Sequence, residues 1–103
     1  PWSIGKGFDH SAPIGPITPA AQAGDVGKAG IWLQVNGVDR QRSNVAQLIW
    51  NIAETIEHLS AAWELQPGDL IYTGTPEGVG AVVTGDVLEG GVDGLGSIRL
   101  KLV

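Results

Sequence analysis

The chain of 103 residues contains no cysteine and no methionine, one tyrosine, one phenylalanine and only six basic residues. Each shortage removes a class of function. Without cysteine there is no disulfide framework, no thiolate nucleophile and no thiolate metal site. Such a chain suits a reducing compartment, and the cytoplasm is the expected location. Six basic residues against eleven acidic ones leave a formal net charge of −5. A domain of that sign repels phosphate backbones and anionic lipid surfaces, so neither nucleic acid nor membrane is expected as a partner. No apolar run approaches the roughly 20 residues that span a bilayer, and no signal-peptide pattern opens the chain. The absence of methionine, with Pro1-Trp2 at the start, points to a processed chain or to part of a longer one.

Glycine, by contrast, is abundant. Gly 16 and Pro 6 make up about a fifth of the residues, against roughly 12% in average proteins. Without a fixed period, this surplus excludes collagen and a helical bundle and points to many turns and close backbone approaches. Hydrophobic residues at 43% and charged residues at 17% describe a globular chain, and its length allows one domain with a modest core.

Residues 1–29 are broken by Pro13, Pro16 and Pro19 and by several glycines, which predicts an ordered loop region. Ile31–Val35 reads as a strand, and Asn36-Gly37 supplies the two positive-φ positions of a type I′ hairpin turn. Val38–Arg42 then returns antiparallel. Val45, Leu48, Ile49, Ile52, Ile56, Leu59 and Trp63 recur at spacings of three and four, predicting one helix capped by Ser43 or Asn44, with Gln47 closing a capping box. Glu54 lies opposite that stripe and forms a solvated pair with His58 one turn later. Trp50 lies off the stripe too and suggests a contact with another segment or subunit. Asp69–Thr73 reads as a short strand, Ala81–Thr84 and Asp86–Leu88 as brief extended pieces, and Ser97–Val103 as a strand with one buried face.

Few residues invite a chemical reading. The glycine-rich stretch 74–80 lacks the Lys-Ser or Lys-Thr pair of a phosphate loop, and neither Gly78-Val79-Gly80 nor Gly94-Leu95-Gly96 has the third glycine of a dinucleotide fingerprint. Two alternatives remain for Thr73-Gly74-Thr75-Pro76: a tight turn with locally bonded threonines, or a neutral nest of hydroxyls and N–H groups for a carboxylate or enolate oxygen. Glu54, Glu57 and His58 lack the paired histidines of a zinc helix, and the adjacent Asp9 and His10 point apart in an extended chain. Lys6, between Gly5 and Gly7 with Trp2 and Phe8 nearby, is either a surface lysine or an ammonium whose field acts among apolar neighbours.

Together these stretches resemble the fumarylacetoacetate hydrolase family, and within it the acylpyruvate and fumarylpyruvate hydrolases. The resemblance rests on Gly5-Lys6-Gly7-Phe8-Asp9-His10-Ser11-Ala12-Pro13-Ile14-Gly15-Pro16, on Trp32-Leu33-Gln34-Val35-Asn36-Gly37 with Arg40-Gln41, on the run from Pro67 to Gly80, and on Gly90-Gly91-Val92-Asp93-Gly94-Leu95-Gly96. It implies an α+β, mainly β fold: a mixed β-roll with one or two short helices outside, two if the family's proline near Ala53 marks a break. Residues 1–103 would then be the C-terminal part of a single catalytic domain. The implied chemistry is metal-dependent hydrolysis of the C–C bond of a 1,3-diketo acid such as fumarylpyruvate, releasing pyruvate, by an enzyme that is usually a homodimer.

By position, Lys6 matches the lysine that neutralises the developing oxyanion, and Thr75 with Gly74 matches the loop that holds the pyruvyl carboxylate. Asp9 would support the lysine loop. The family's cofactor is Mg²⁺ or Mn²⁺, held by a Glu-x-Glu pair and an aspartate that precede the lysine. None of these is in this sequence, nor is the His–Glu pair that activates water, so no residue of the chain is assigned to the metal. Two rival readings remain: a decarboxylase or isomerase of the same family acting through a metal-bound enolate, and a free-standing β module that binds a partner and catalyses nothing.

Overall fold

The computed structural model describes residues 1–103. Its centre is a four-stranded antiparallel sheet in the order β2-β1-β3-β4, built from β1 (Gly30–Val35), β2 (Val38–Asn44), β3 (Val87–Val92) and β4 (Gly96–Lys101). Three short helices lie outside it: α1 (Trp2–Lys6), α2 (Ala20–Ala23) and α3 (Ile52–Ala62). The mainly β, α+β architecture is the one the resemblance implies.

The β1–β2 hairpin forms as predicted, with Asn36 at φ 52 and Gly37 at φ 79, both left-handed as a type I′ turn requires. Asn36 has a second role. Its Oδ1 accepts from the Val87 N–H and its Nδ2 donates to Asp86 Oδ1, both at 2.9 Å. Asp86 in turn accepts from the Val83 N–H through Oδ2. The hairpin tip is thereby tied to the entry of β3, a strand 50 residues later that pairs on the far side of β1. The Val83 N–H and the Asn36 amide hold the Asp86 carboxyl below its usual range.

Directly opposed residues of an antiparallel pair project to one face, so the register divides the sheet's side chains. Ile31, Leu33, Val35, Leu88, Val92, Ile98 and Leu100 share one face, and Gln34, Asp39, Arg42, Glu89, Arg99 and Lys101 share the other. The polar face carries the Asp39–Arg42 ion pair at 2.9 Å, half exposed and therefore of little net worth. Trp32 also lies there, directly opposite Gly91. A Cβ on Gly91 would run into the Gly96 carbonyl oxygen at 2.6 Å and press on the Trp32 ring at 3.1 Å, so glycine is what lets both close on β3 there. The pair Gly90-Gly91 thus continues the strand to Val92, beyond the Asp86–Leu88 piece expected from the sequence.

Four other expectations are corrected. Residues 45–63 are not one helix. Asn44 caps only a 3₁₀ turn over Val45–Gln47, its Oδ1 accepting from the Ala46 N–H, and Leu48 leaves helical geometry at ψ 135. The chain starts again at Asn51, whose side chain accepts from the Glu54 N–H while Glu54 Oε2 accepts from the Asn51 N–H, both at 2.8 Å. This reciprocal capping box starts α3, whereas the one expected at 44–47 is not closed, because Gln47 does not reach back to Asn44. Glu54 therefore closes the cap and does not pair with His58; the His58 ring stacks on Trp50, with centroids 4.0 Å apart and planes at 13°. Asp69–Thr73 and Ala81–Thr84 join no strand ladder, and Thr84 enters a turn with Gly85, because a strand needs a neighbour's ladder and no strand of this sheet offers one. Finally, residues 1–29 hold two short helices and a 3₁₀ turn where loop was expected.

Burial is slight. Only Val35 and Gln41 are buried, and Ile52 and Ile56 on the apolar stripe of α3 remain 38% and 43% exposed. The radius of gyration is 14.8 Å, against about 13 Å for a compact domain of this length. The apolar face of the sheet is covered only in part, by the Pro13–Pro16 segment and by Tyr72.

Candidate functional site

A β-bulge decides where the site forms. Val35 pairs with Val38 and Gln34 with Asp39, but Leu33 pairs with Gln41, so Arg40 is the extra residue. Regular alternation from Val38 would place Arg40 opposite Leu33 on the apolar face. The bulge places Gln41 there instead. It also brings Asp39 and Arg42, three residues apart, onto the same polar face, as their ion pair requires.

Gln41 is 9% exposed, the single buried polar side chain of the chain. Its Nε2 donates to Thr75 Oγ1 and to the Pro76 carbonyl, each at 2.7 Å, and more weakly to the Glu77 carbonyl at 3.4 Å. The Thr73–Gly78 loop is thereby seated on the sheet. Gly78, at φ 99, sits so close to β2 that an added Cβ would collide with the Arg40 carbonyl oxygen and press on Gln41 Cγ. Gly74, at φ 98, has open space around it, so its glycine serves the backbone turn and leaves its N–H approachable.

The seated loop forms one wall of a cavity of about 720 Å³, within the usual range for small-molecule sites. Thr73, Gly74, Thr75 and Pro76 line it, with Ser43 of β2 and Trp50 across from them. Of the predicted site residues, Thr75 and Gly74 are brought together here. Lys6 and Asp9 do not line this cavity. Lys6 ends α1 with its Nζ 4.9 Å above the Trp2 ring, a cation–π contact. The turn that carries Asp9 is closed by hydrogen bonds between Phe8 and Ser11, not by the Asp9 carboxylate. One link joins the two regions: the Tyr72 hydroxyl donates to the Ala12 carbonyl at 3.3 Å, tying the lysine segment to the residue just before Thr73.

Nowhere do three carboxylate or imidazole side chains converge, so residues 1–103 do not fit a divalent ion by themselves. No helix is long and apolar enough to cross a membrane. Gln41 is the residue sequence reasoning missed. It stood inside a recognised motif, but nothing in the sequence marks a bulge at Arg40, and without the bulge Gln41 faces the wrong way.

A protein-family model described as Fumarylacetoacetate (FAA) hydrolase C-terminal matches residues 1–103. A fumarylpyruvate hydrolase from Ralstonia sp is 51% identical over 99% of this chain and 53% of its own length. A mitochondrial oxaloacetate tautomerase from Rattus norvegicus is 40% identical over 99% of this chain and 46% of its own length. Among solved structures, fumarylpyruvate hydrolase from Pseudomonas aeruginosa in complex with Mn²⁺ and pyruvate superimposes with a TM-score of 0.96 at 58% identity, covering 100% of this chain and 44% of that one. The chain thus spans about half the length of the relatives it matches. With the motif set, the four-stranded sheet and these likenesses in agreement, the chain belongs to the fumarylacetoacetate hydrolase family.

Proposed function

We propose that this chain supplies the carboxylate-binding loop and the lysine of an acylpyruvate hydrolase, acting on a 1,3-diketo acid such as fumarylpyruvate and releasing pyruvate. The observation that carries this reading is the Thr73–Pro76 loop, held by Gln41 so that Thr75 and Gly74 face a ligand-sized cavity. The Mn²⁺ and pyruvate complex of the Pseudomonas relative supports it. In this reading the Thr75 hydroxyl and the loop N–H groups donate to the pyruvyl carboxylate. Water adds to the distal carbonyl carbon, and the C–C bond breaks with its electron pair passing to the pyruvyl fragment as an enolate. The Lys6 ammonium offsets the charge on that enolate oxygen, Asp9 supports the lysine segment, and a final proton gives pyruvate. A divalent ion, Mg²⁺ or Mn²⁺, supplies Lewis acidity when bound, held by residues outside 1–103.

The test uses the full-length protein loaded with Mn²⁺, following loss of the enol absorbance of fumarylpyruvate and formation of pyruvate. Lys6→Ala should lower kcat by about 10² or more. A loss within about threefold, or about 0.7 kcal/mol of barrier, removes Lys6 from the mechanism. The likeness to the oxaloacetate tautomerase favours a second reading, enol–keto isomerisation over the same anion site. Product analysis separates the two, since isomerisation changes the absorbance of oxaloacetate without forming pyruvate and a second acid.

A further inference from the structure

We infer that Gln41 is a positioning residue that orients the Thr75 hydroxyl, occupying a lone pair on its sheet side so that its proton is presented to the ligand. This rests on the reading of Thr75 as a carboxylate-binding group. Two of the three acceptors facing the Gln41 side chain are backbone carbonyls, at Pro76 and Glu77. Carbonyls only accept, so the NH₂ end of the amide must face the loop, and its orientation is not a matter of choice. That NH₂ has two protons. The two 2.7 Å contacts use them, one on Pro76 and one on Thr75 Oγ1.

A threonine hydroxyl has one proton to give. Accepting from Gln41, the Thr75 oxygen turns that proton away from the sheet, and within the chain the hydroxyl donates to no acceptor. It is left for the cavity that Thr75 lines. A carboxylate, which only accepts, fits this free proton, whereas a donor group would find only the remaining lone pair of the hydroxyl. The burial of Gln41 strengthens the effect, because little water is present to compete for the amide. The bulge at Arg40 and the close seat of Gly78 on β2 are what make the contact geometrically possible.

The test is a double-mutant cycle on the Mn²⁺-loaded full-length protein, reading the dissociation constant of pyruvate by calorimetry, with melting temperature as the folding control. Thr75→Val should weaken pyruvate at least about tenfold, the worth of a hydrogen bond to a charged group. If it does not, the carboxylate reading of Thr75 fails and this inference with it. Gln41→Glu replaces the donor by an acceptor and draws the Thr75 proton inward. It should cost at least about tenfold more with Thr75 present than in the Thr75→Val background, where only the loss of the bond to the Pro76 carbonyl remains. An equal penalty in both backgrounds, with Thr75→Val weakening pyruvate by the expected tenfold, means Gln41 only braces the loop and overturns the inference alone. Should Gln41→Glu not fold, Gln41→Leu decides by the same cycle, because it removes the donor without adding charge.

Discussion

Substitution of Gly78 tests whether the loop's seat on the bulged strand is what holds the site. Gly78 has φ 99, and a Cβ there would run into the Arg40 carbonyl oxygen and approach Gln41 Cγ to 3.2 Å. Gly78→Ala therefore combines two costs. Holding an L-residue in the positive-φ region costs about 1–3 kcal/mol. The collision is with backbone and cannot be relieved by a rotamer, so the loop must lift off β2, and lifting stretches the Gln41 bonds to Thr75 and Pro76. Losing those two bonds adds about 1 kcal/mol each, for a total of about 3–5 kcal/mol. Gly85 is the control: its φ is 95, yet nothing lies within 4 Å of its added Cβ. Gly85→Ala should show the strain alone, about 1–3 kcal/mol. Urea unfolding of the full-length, metal-loaded protein measures both, and pyruvate affinity should fall for Gly78→Ala while staying unchanged for Gly85→Ala. Equal destabilisation of the two variants, with pyruvate affinity intact in both, would refute the close seat.

The tie between the hairpin tip and β3 allows two more predictions. Asn36→Gly keeps the positive φ but loses the bonds to Val87 and Asp86, so it should cost about 1–2 kcal/mol, and Asn36→Ala should cost about 1 kcal/mol more from backbone strain; chemical denaturation of the two variants gives the difference directly. Asp86 has a carboxyl held below its ordinary value of 3.8 by the Val83 N–H and Asn36. A depressed folded value means that its contribution is complete above the unfolded value and is lost as pH falls through the folded one. The stability gap between wild type and Asp86→Asn should therefore be constant at neutral pH and close below about pH 4, and a gap that closes only above pH 6 would contradict the assignment.

How far the site could be read in advance depended on the range of the interaction involved. Asn36-Gly37 is legible because a type I′ turn is a local demand on two φ angles, and the structure places both residues in that region. Thr75 and Gly74 were legible as a pair because they are neighbours in the chain and enter one cavity together. The capping box at Asn51 and Glu54 is equally local, but the apolar spacing runs on past it in both directions and hides it. Spacing alone does not say where a helix begins; the side chain that takes the first free N–H groups does.

The hairpin, the turn-rich β character, the acidic charge and the family's motif order follow from single residues or near neighbours and are legible in the chain as written. The rest depends on contacts between distant segments. Whether Asp69–Thr73 forms a strand depends on a partner ladder, which this sheet does not provide. Whether Glu54 meets His58 or the helix cap depends on which contact wins at the helix start, and Trp50 takes the imidazole. The bulge at Arg40 is decided in the same way, by pairing between β1 and β2 and by a loop more than 30 residues downstream that lies on them. One extra residue in a strand reverses which side chains face the core. That reversal turns Gln41 from an unremarked polar residue into the anchor of the candidate site.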